Sequence, residues 1–263
     1  MSIFDDGGRL GRRRVSIHFN HMTNQSSTET QPLIRVAGVT RTYHIDGREV
    51  SALRGIDLTV TQGELVSLRG RSGSGKTTLL NCIGGLDRPT SGQVWIEGRE
   101  VTQLSEGESV ELRRKRIGFV FQSFALLPIY SAAENIDLML RLAGVNDRGE
   151  RQRRVDYVLT LVGLKKWATH RPYELSGGQQ QRVAIARALV TQPALILADE
   201  PTGELDSATG QQIMELFREI VDREQTTVLI ATHNLAVDFF ADRVCVLEDG
   251  QIREVNQRAK SGA

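Results

Sequence analysis

Eight residues carry the strongest chemical signal in this chain: Gly70-Arg71-Ser72-Gly73-Ser74-Gly75-Lys76-Thr77. Their spacing is G-x-x-x-x-G-K-[ST], a loop whose backbone N–H groups can turn inward together around a chain of phosphates. A helix starting at its end adds partial positive charge from unpaired amides. In that geometry Lys76 reaches the β- and γ-phosphates, and the Thr77 hydroxyl ligates Mg²⁺. A second signal is acidic. Ala194 to Glu200 ends in two carboxylates, of which Asp199 is suited to hold Mg²⁺ through water and Glu200 to polarise an attacking water.

Other candidates stand singly. Gln122 follows the apolar run Ile117–Phe121, where an amide can reach a metal or water; its alternative is a loop glutamine. His233 follows Thr226–Ala231 and is a candidate γ-phosphate contact, although a lone histidine is more often structural. Leu175-Ser176-Gly177-Gly178-Gln179 opens a helix expected from Gln180 to Val190, a second anion-binding helix start. Tyr43 lies in a connection, where its ring can stack on a purine or pack along an edge.

These residues need elements to hold them. Glu64–Arg69 reads as a buried strand into the glycine-rich loop, and Thr78–Ile83 as the helix out of it. Upstream, Leu33–Val39 and Ser51–Val60 read as strands joined through the turn signal Asp46-Gly47, an antiparallel layer. A turn at 88–92, a strand at Gln93–Gly98 and a charged helix at Glu106–Arg116 come next. Residues 123–176, with helical spacing at Asn135–Leu142 and Arg151–Leu161, read as a helical insertion between strands of an α/β core. Its arginines and lysines read as a solvated face. The helix Ser207–Glu224 and a closing hairpin at Val244–Ile252 complete the pattern. The expected division is a disordered tail at 1–30, core at 31–122, insertion at 123–176, core again at 177–255 and a tail at 256–263.

Composition sets outer bounds. The 263 residues carry a formal net charge of +1 and are 40% hydrophobic, enough for a full α/β core. Near-neutrality argues against charge-driven nucleic-acid binding. Cys82 and Cys245 have no metal-type spacing and read as small buried hydrophobes of a cytosolic protein. No apolar run approaches the ~18 residues of a membrane span. Arg12-Arg13-Arg14 lacks the apolar segment of a secretory leader, and Met22 is a plausible alternative start.

Together these motifs resemble the ATP-binding cassette family over residues 33–255. Residues 70–77 match its Walker A motif, 194–200 its Walker B motif with catalytic glutamate, and 175–179 its signature. Gln122 matches the Q-loop, His233 the switch histidine, Tyr43 the adenine-stacking aromatic and Asp206 the D-loop aspartate. The resemblance implies a P-loop NTPase (RecA-like) core with an antiparallel β subdomain and a helical insertion. It implies an ATPase using ATP and Mg²⁺, with Glu200, His233 and Gln122 catalytic and Thr77, Gln122 and Asp199 at the metal. Tyr43, Gly70, Ser72, Gly73, Ser74, Gly75, Lys76, Thr77, Thr78 and Asp206 would hold the nucleotide. Two copies would lie head to tail, each ATP between one P-loop and the partner's Ser176, Gly177 and Gly178, with Gln179 also among the nucleotide-binding residues.

The resemblance also implies a separate membrane-spanning permease and a peripheral place on the cytoplasmic face of the inner membrane. The apolar stretch Phe124–Tyr130, directly after Gln122, is the expected permease contact. With Glu134-Asn135, Glu200-Pro201-Thr202-Gly203 and Leu175–Arg182, that stretch is most similar to the macrolide-exporter and lipoprotein-release group. The expected function is ATP hydrolysis powering export or lipid, lipoprotein or peptide handling. The alternatives are an amino-acid-type importer ATPase and a mechanical ATPase that moves no solute. DNA-repair ATPases of this family need a long coiled coil, and no sustained heptads occur; translation-factor types carry two cassettes. Glu204 departs from the group's usual asparagine, and Asn234 from its aspartate.

Overall fold

The computed structural model describes residues 32–257. The expected tail at 1–30, Arg12–Arg14 and Met22 lie outside the described residues, as do 258–263. Asp46 and Gly47 have φ of 49° and 74°, the left-handed pair that a tight hairpin turn requires. They join β1 (Ile34–Ile45) to β2 (Arg48–Val60), both longer than the sequence pattern suggests. β4 (Ser91–Ile96) pairs with the other edge of β1, and β5 (Arg99–Glu100) with β4. The result is a four-stranded antiparallel sheet in the order β2-β1-β4-β5.

The second sheet is six-stranded. It contains β3 (Leu65–Arg69), β6 (Ile117–Val120), β7 (Leu195–Asp199), β8 (Thr227–Thr232), β9 (Arg243–Glu248) and β10 (Gln251–Gln257). The order is β10-β9-β3-β8-β7-β6; only β10 is antiparallel to its neighbour. β3, β7 and β8 read as continuous apolar runs because both of their faces are covered. One correction concerns the C-terminal boundary. β10 runs to Gln257, past the tail start expected at 256, because Asn256 and Gln257 pair with Val244 and Arg243.

Helix limits follow caps rather than apolar spacing. α1 spans Lys76–Ile83, and α2 spans Glu106–Arg116 as expected. α3 (Ala132–Leu142) starts before Asn135 because Ser131 and Glu134 form a reciprocal capping box. α4 (Arg148–Leu161) starts before Arg151, at its cap Asp147. α5 (Gly177–Leu189) starts before Gln180 because Ser176 and Gln179 form another box. α6 spans Ser207–Glu224.

Two apolar clusters fill the molecule. One joins the antiparallel sheet, α1 and one face of the parallel sheet, including Leu53, Leu79 and Leu229. The other joins the opposite face to α3–α6, including Ile136, Val158, Ile185 and Phe217. The core therefore does not divide at 176, since α5 packs on the insertion helices and on the sheet together. Cys82 and Cys245 are buried and free; burial pushes the Cys82 thiol up to about 12.

Candidate active site

In a parallel sheet the loops that leave the strand ends gather along one edge. Here β3 runs into Gly70, β6 leads to Gln122, β7 ends at Asp199 before Glu200, and β8 leads to His233. β3, β8, β7 and β6 are consecutive neighbours, so residues far apart in sequence meet at one edge. A cavity of about 360 Å³ opens there. The loop and α1 contribute Ser72, Gly73, Gly75, Lys76, Thr77 and Thr78; the strand ends contribute Gln122, Asp199, Glu200 and His233.

The loop's shape depends on Gly75. Its φ is 105°, and a Cβ there would lie 2.5 Å from the Ala52 carbonyl oxygen. Ala52 itself lines the cavity, which nothing in its residue type announced. Gly70 and Ser74 do not line the cavity. Gly70 packs against the Leu247 carbonyl, and the Ser74 Oγ is buried without a partner. α1 has no side-chain cap and no acidic residue in its first turn. The other five α-helices in the described residues each have a side-chain cap. The first amides of α1 thus remain available to an anion.

Lys76 is buried, and its Nζ donates to the carbonyls of Gly70 (2.8 Å) and Arg71 (3.1 Å). It also lies 3.5 Å from Glu200 Oε1. Glu200 sits at φ 47°, off the end of β7. Its Oε2 accepts from Thr232 Oγ1 (3.1 Å) and from the His233 amide (3.3 Å), and its Oε1 lies 3.0 Å from His233 Nδ1. A carboxylate only accepts, so Nδ1 carries the hydrogen in that contact. Asp199 Oδ1 is buried without a partner. Burial pushes the Asp199 carboxyl up, opposed by a hydrogen bond from Thr77, while Glu200 adds to the rise and Lys76 opposes it. A buried, unpartnered carboxylate oxygen in a cavity that Thr77 also lines suits a hard cation.

Tyr43, Asp206 and Ser176–Gln179 also lie outside the cavity lining. Tyr43 donates its hydroxyl to Asp87 (2.7 Å), and the Arg41 guanidinium covers its ring at 4.3 Å. Burial and then the bond to Asp87 hold its phenol above the ordinary value, against smaller opposing effects of Thr78 and Arg41. Asp206 caps α6 through the Thr209 amide (3.0 Å) and hydroxyl (2.6 Å). It borders a separate cavity of about 450 Å³ with Thr202, Asn234 and Phe240. Ser176 and Gln179 bond each other at the start of α5, and Gly178 packs against Thr209. Two engaged residues were not singled out from sequence. Gln181 is a buried amide bonded to the Pro201 carbonyl (2.7 Å), and Arg187 is a half-buried cation that donates to the Phe124 and Ala125 carbonyls. Both read as ordinary polar residues of a helix.

A family model described as ABC transporter matches residues 53–203. An ABC transporter ATP-binding protein of Methanocaldococcus jannaschii is 44% identical over 223 residues, 84% of this chain and 95% of that protein. A solved dimeric structure of that cassette, in a post-hydrolysis state bound to ADP and Pi, superposes with a TM-score of 0.79. Its identity is 42%, covering 85% of this chain and 98% of that one. The lipoprotein-releasing system ATP-binding protein LolD of Hyphomonas neptunium is 43% identical over 222 residues, 84% of this chain and 97% of its own. The macrolide export ATP-binding/permease protein MacB of Syntrophobacter fumaroxidans is 46% identical over 222 residues, 84% of this chain but 31% of its own length. The chain belongs to the ABC transporter family, among its ATP-binding, ATP-hydrolysing subunits.

Proposed function

We propose that this chain binds Mg-ATP at the strand-end cavity and hydrolyses it with Glu200, driving a membrane permease of the exporter or lipoprotein-handling kind. The observation that carries this reading is the meeting of an uncapped α1, buried Lys76 and the unpartnered Asp199 Oδ1 around one cavity. Thr77, Asp199 and Gln122 would hold Mg²⁺, which supplies neutralising charge to the β- and γ-phosphates. The α1 amides and Lys76 bind and orient the phosphate chain. Donating from Nζ to a phosphate oxygen draws Lys76 from Glu200 Oε1, leaving that carboxylate to take a proton from water. Thr232 holds Glu200 at Oε2 and the His233 ring holds it at Oε1, so the carboxylate stays aimed as Lys76 departs. Tyr43 would meet the adenine along its ring edge or after Arg41 shifts.

Ser176, Gly177, Gly178, Gln179 and Asp206 lie outside the cavity, which fits a role toward the nucleotide of a second copy. The dimeric relative supports that arrangement. MacB joins an ATP-binding part to a permease in its name, and LolD is the ATP-binding part of a lipoprotein-releasing system; both support a permease partner. Among the described residues no helix is long and apolar enough to cross a membrane. A peripheral position on the cytoplasmic membrane face fits a subunit that works through such a partner. The test is paired. Glu200→Gln is expected to keep Mg-ATP binding and to lose hydrolysis about 10²–10⁴-fold. Lys76→Ala is expected to lose binding itself. Near-normal turnover in Glu200→Gln would remove the assignment.

A further inference from the structure

The turn after Glu200 ends on a carboxylate that takes no part in the hydrolysis just described. Glu204 Oε1 accepts a hydrogen bond from Gln122 Nε2 at 3.0 Å. The Gln122 amide lies close over Gly203: a Cβ built there would stand 3.0 Å from Nε2 and 3.2 Å from Cδ. A side chain at position 203 would push the Gln122 amide aside by a few tenths of an ångström.

Both sides of this contact are tied to α5. Arg187 donates to the carbonyls of Phe124 and Ala125, the left-handed residues (φ 59° and 49°) that follow Gln122. Buried Gln181 donates to the Pro201 carbonyl at 2.7 Å, and the Gly203 amide returns to the Glu200 carbonyl at 3.0 Å. The Gln122–Glu204 bond closes a ring between the two anchored segments.

A side-chain amide has two ends of similar size and opposite polarity, whereas a carboxylate only accepts. Glu204 therefore selects the nitrogen of Gln122, because the flipped amide would set oxygen against oxygen. With its nitrogen committed, Gln122 has its oxygen left for the cavity it lines. A neutral amide at position 204, such as asparagine, could pair with either end and would leave the orientation open. We infer that Glu204 is a positioning residue that fixes the Gln122 amide with its oxygen presented to the Mg-nucleotide. The inference rests on the metal role proposed for Gln122.

The test uses the full chain and four variants: Gln122→Ala, Glu204→Ala, Glu204→Gln and the double Gln122→Ala/Glu204→Ala. In the ¹⁵N-labelled protein without nucleotide, Gln122→Ala identifies the Gln122 side-chain NH₂ signals. These should move in Glu204→Ala, whatever the activity. The Mg²⁺ concentration for half-maximal hydrolysis should rise about tenfold in Glu204→Ala, the low end for loss of a ligand's orienting partner. It should rise less in Glu204→Gln, which keeps an acceptor. Binding of ATP in EDTA should stay unchanged. The double variant should be no worse than Gln122→Ala alone, because both lesions act through one group. A melting curve checks folding; if Glu204→Ala fails to fold, Glu204→Gln carries the same comparison. The inference is overturned if Glu204→Ala leaves the Mg²⁺ midpoint unchanged while Gln122→Ala raises it, or if the two losses add fully. If Gln122→Ala itself leaves the midpoint unchanged, the metal role of Gln122 falls, and this inference falls with it.

Discussion

Asp199 shows at one residue how function sets itself against stability. Its Oδ1 is buried with no protein partner, and burial raises its carboxyl above the ordinary range. A carboxyl raised in the folded state adds stability below its unfolded value and loses that contribution as pH rises through the folded one. At neutral pH the ionised group therefore costs the free protein stability. Asp199→Asn is expected to raise the melting temperature of the nucleotide-free chain by about 2–4 °C, the shift that ~1 kcal/mol gives a domain of this size. The same change should abolish the extra stabilisation that Mg²⁺ adds to ATP binding. Thermal melts at neutral pH with and without Mg-ATP check both parts. The stabilising half should shrink as the pH falls toward the ordinary carboxylate range, where Asp199 is neutral already. A lower melting temperature at neutral pH would show that the buried oxygen is not a liability.

At the scale of elements, caps set the other helices apart from the one that starts at the strand-end cavity. α2, α3 and α5 satisfy their first amides with capping boxes, α4 and α6 with an aspartate, and α1 with none. The loop before α3 has a different task. Asn135 is buried and reaches from α3 to the Leu127 amide (2.8 Å) and to the carbonyls of Leu127 and Tyr130 (3.1 Å each). That anchoring orders the loop through its backbone. Leu126 can then pack inward while Leu127 and Ile129 stay 41% and 70% exposed. Replacing both Leu127 and Ile129 by serine should change the melting temperature by no more than about 2 °C, as for surface substitutions. It should also abolish co-purification with the permease. Early melting or aggregation of the isolated variant would make these side chains core, and the docking surface would lie elsewhere.

For the whole molecule, one chain carries two glycine-bearing helix starts and brings only one of them to the cavity. α1 faces it; α5, with Ser176, does not. Head-to-tail pairing would supply the missing half from a second copy, and it makes a mixing experiment decisive. A Ser176→Arg chain combined with a Lys76→Ala chain gives one composite site with both lesions and one with neither. Hydrolysis in the mixture should recover to a substantial fraction of the unmodified rate while each variant alone stays inactive. No recovery, with mixed dimers demonstrated by cross-linking, would show that Ser176 acts within its own chain or that both sites must fire together.

The local parts of this architecture were legible in the residues themselves. The P-loop spacing, the Asp46-Gly47 turn, the limits of α2 and α6 and the apolar strands depend on neighbours a few positions away. Caps were legible too, but apolar spacing hid them: Ser131 with Glu134, and Ser176 with Gln179, start α3 and α5 earlier than periodicity suggests. Strand order was not legible, because no local pattern states that β6, β7, β8 and β3 are neighbours. That order alone brings Gln122, Asp199, Glu200 and His233 to one loop. Partner choice was equally hidden. Arg41 covers the ring of Tyr43, Arg187 holds the carbonyls of Phe124 and Ala125, and Glu204 takes the amide of Gln122. Each of these contacts depends on where two distant backbones come to rest, and that is set by packing of the two cores rather than by local propensity.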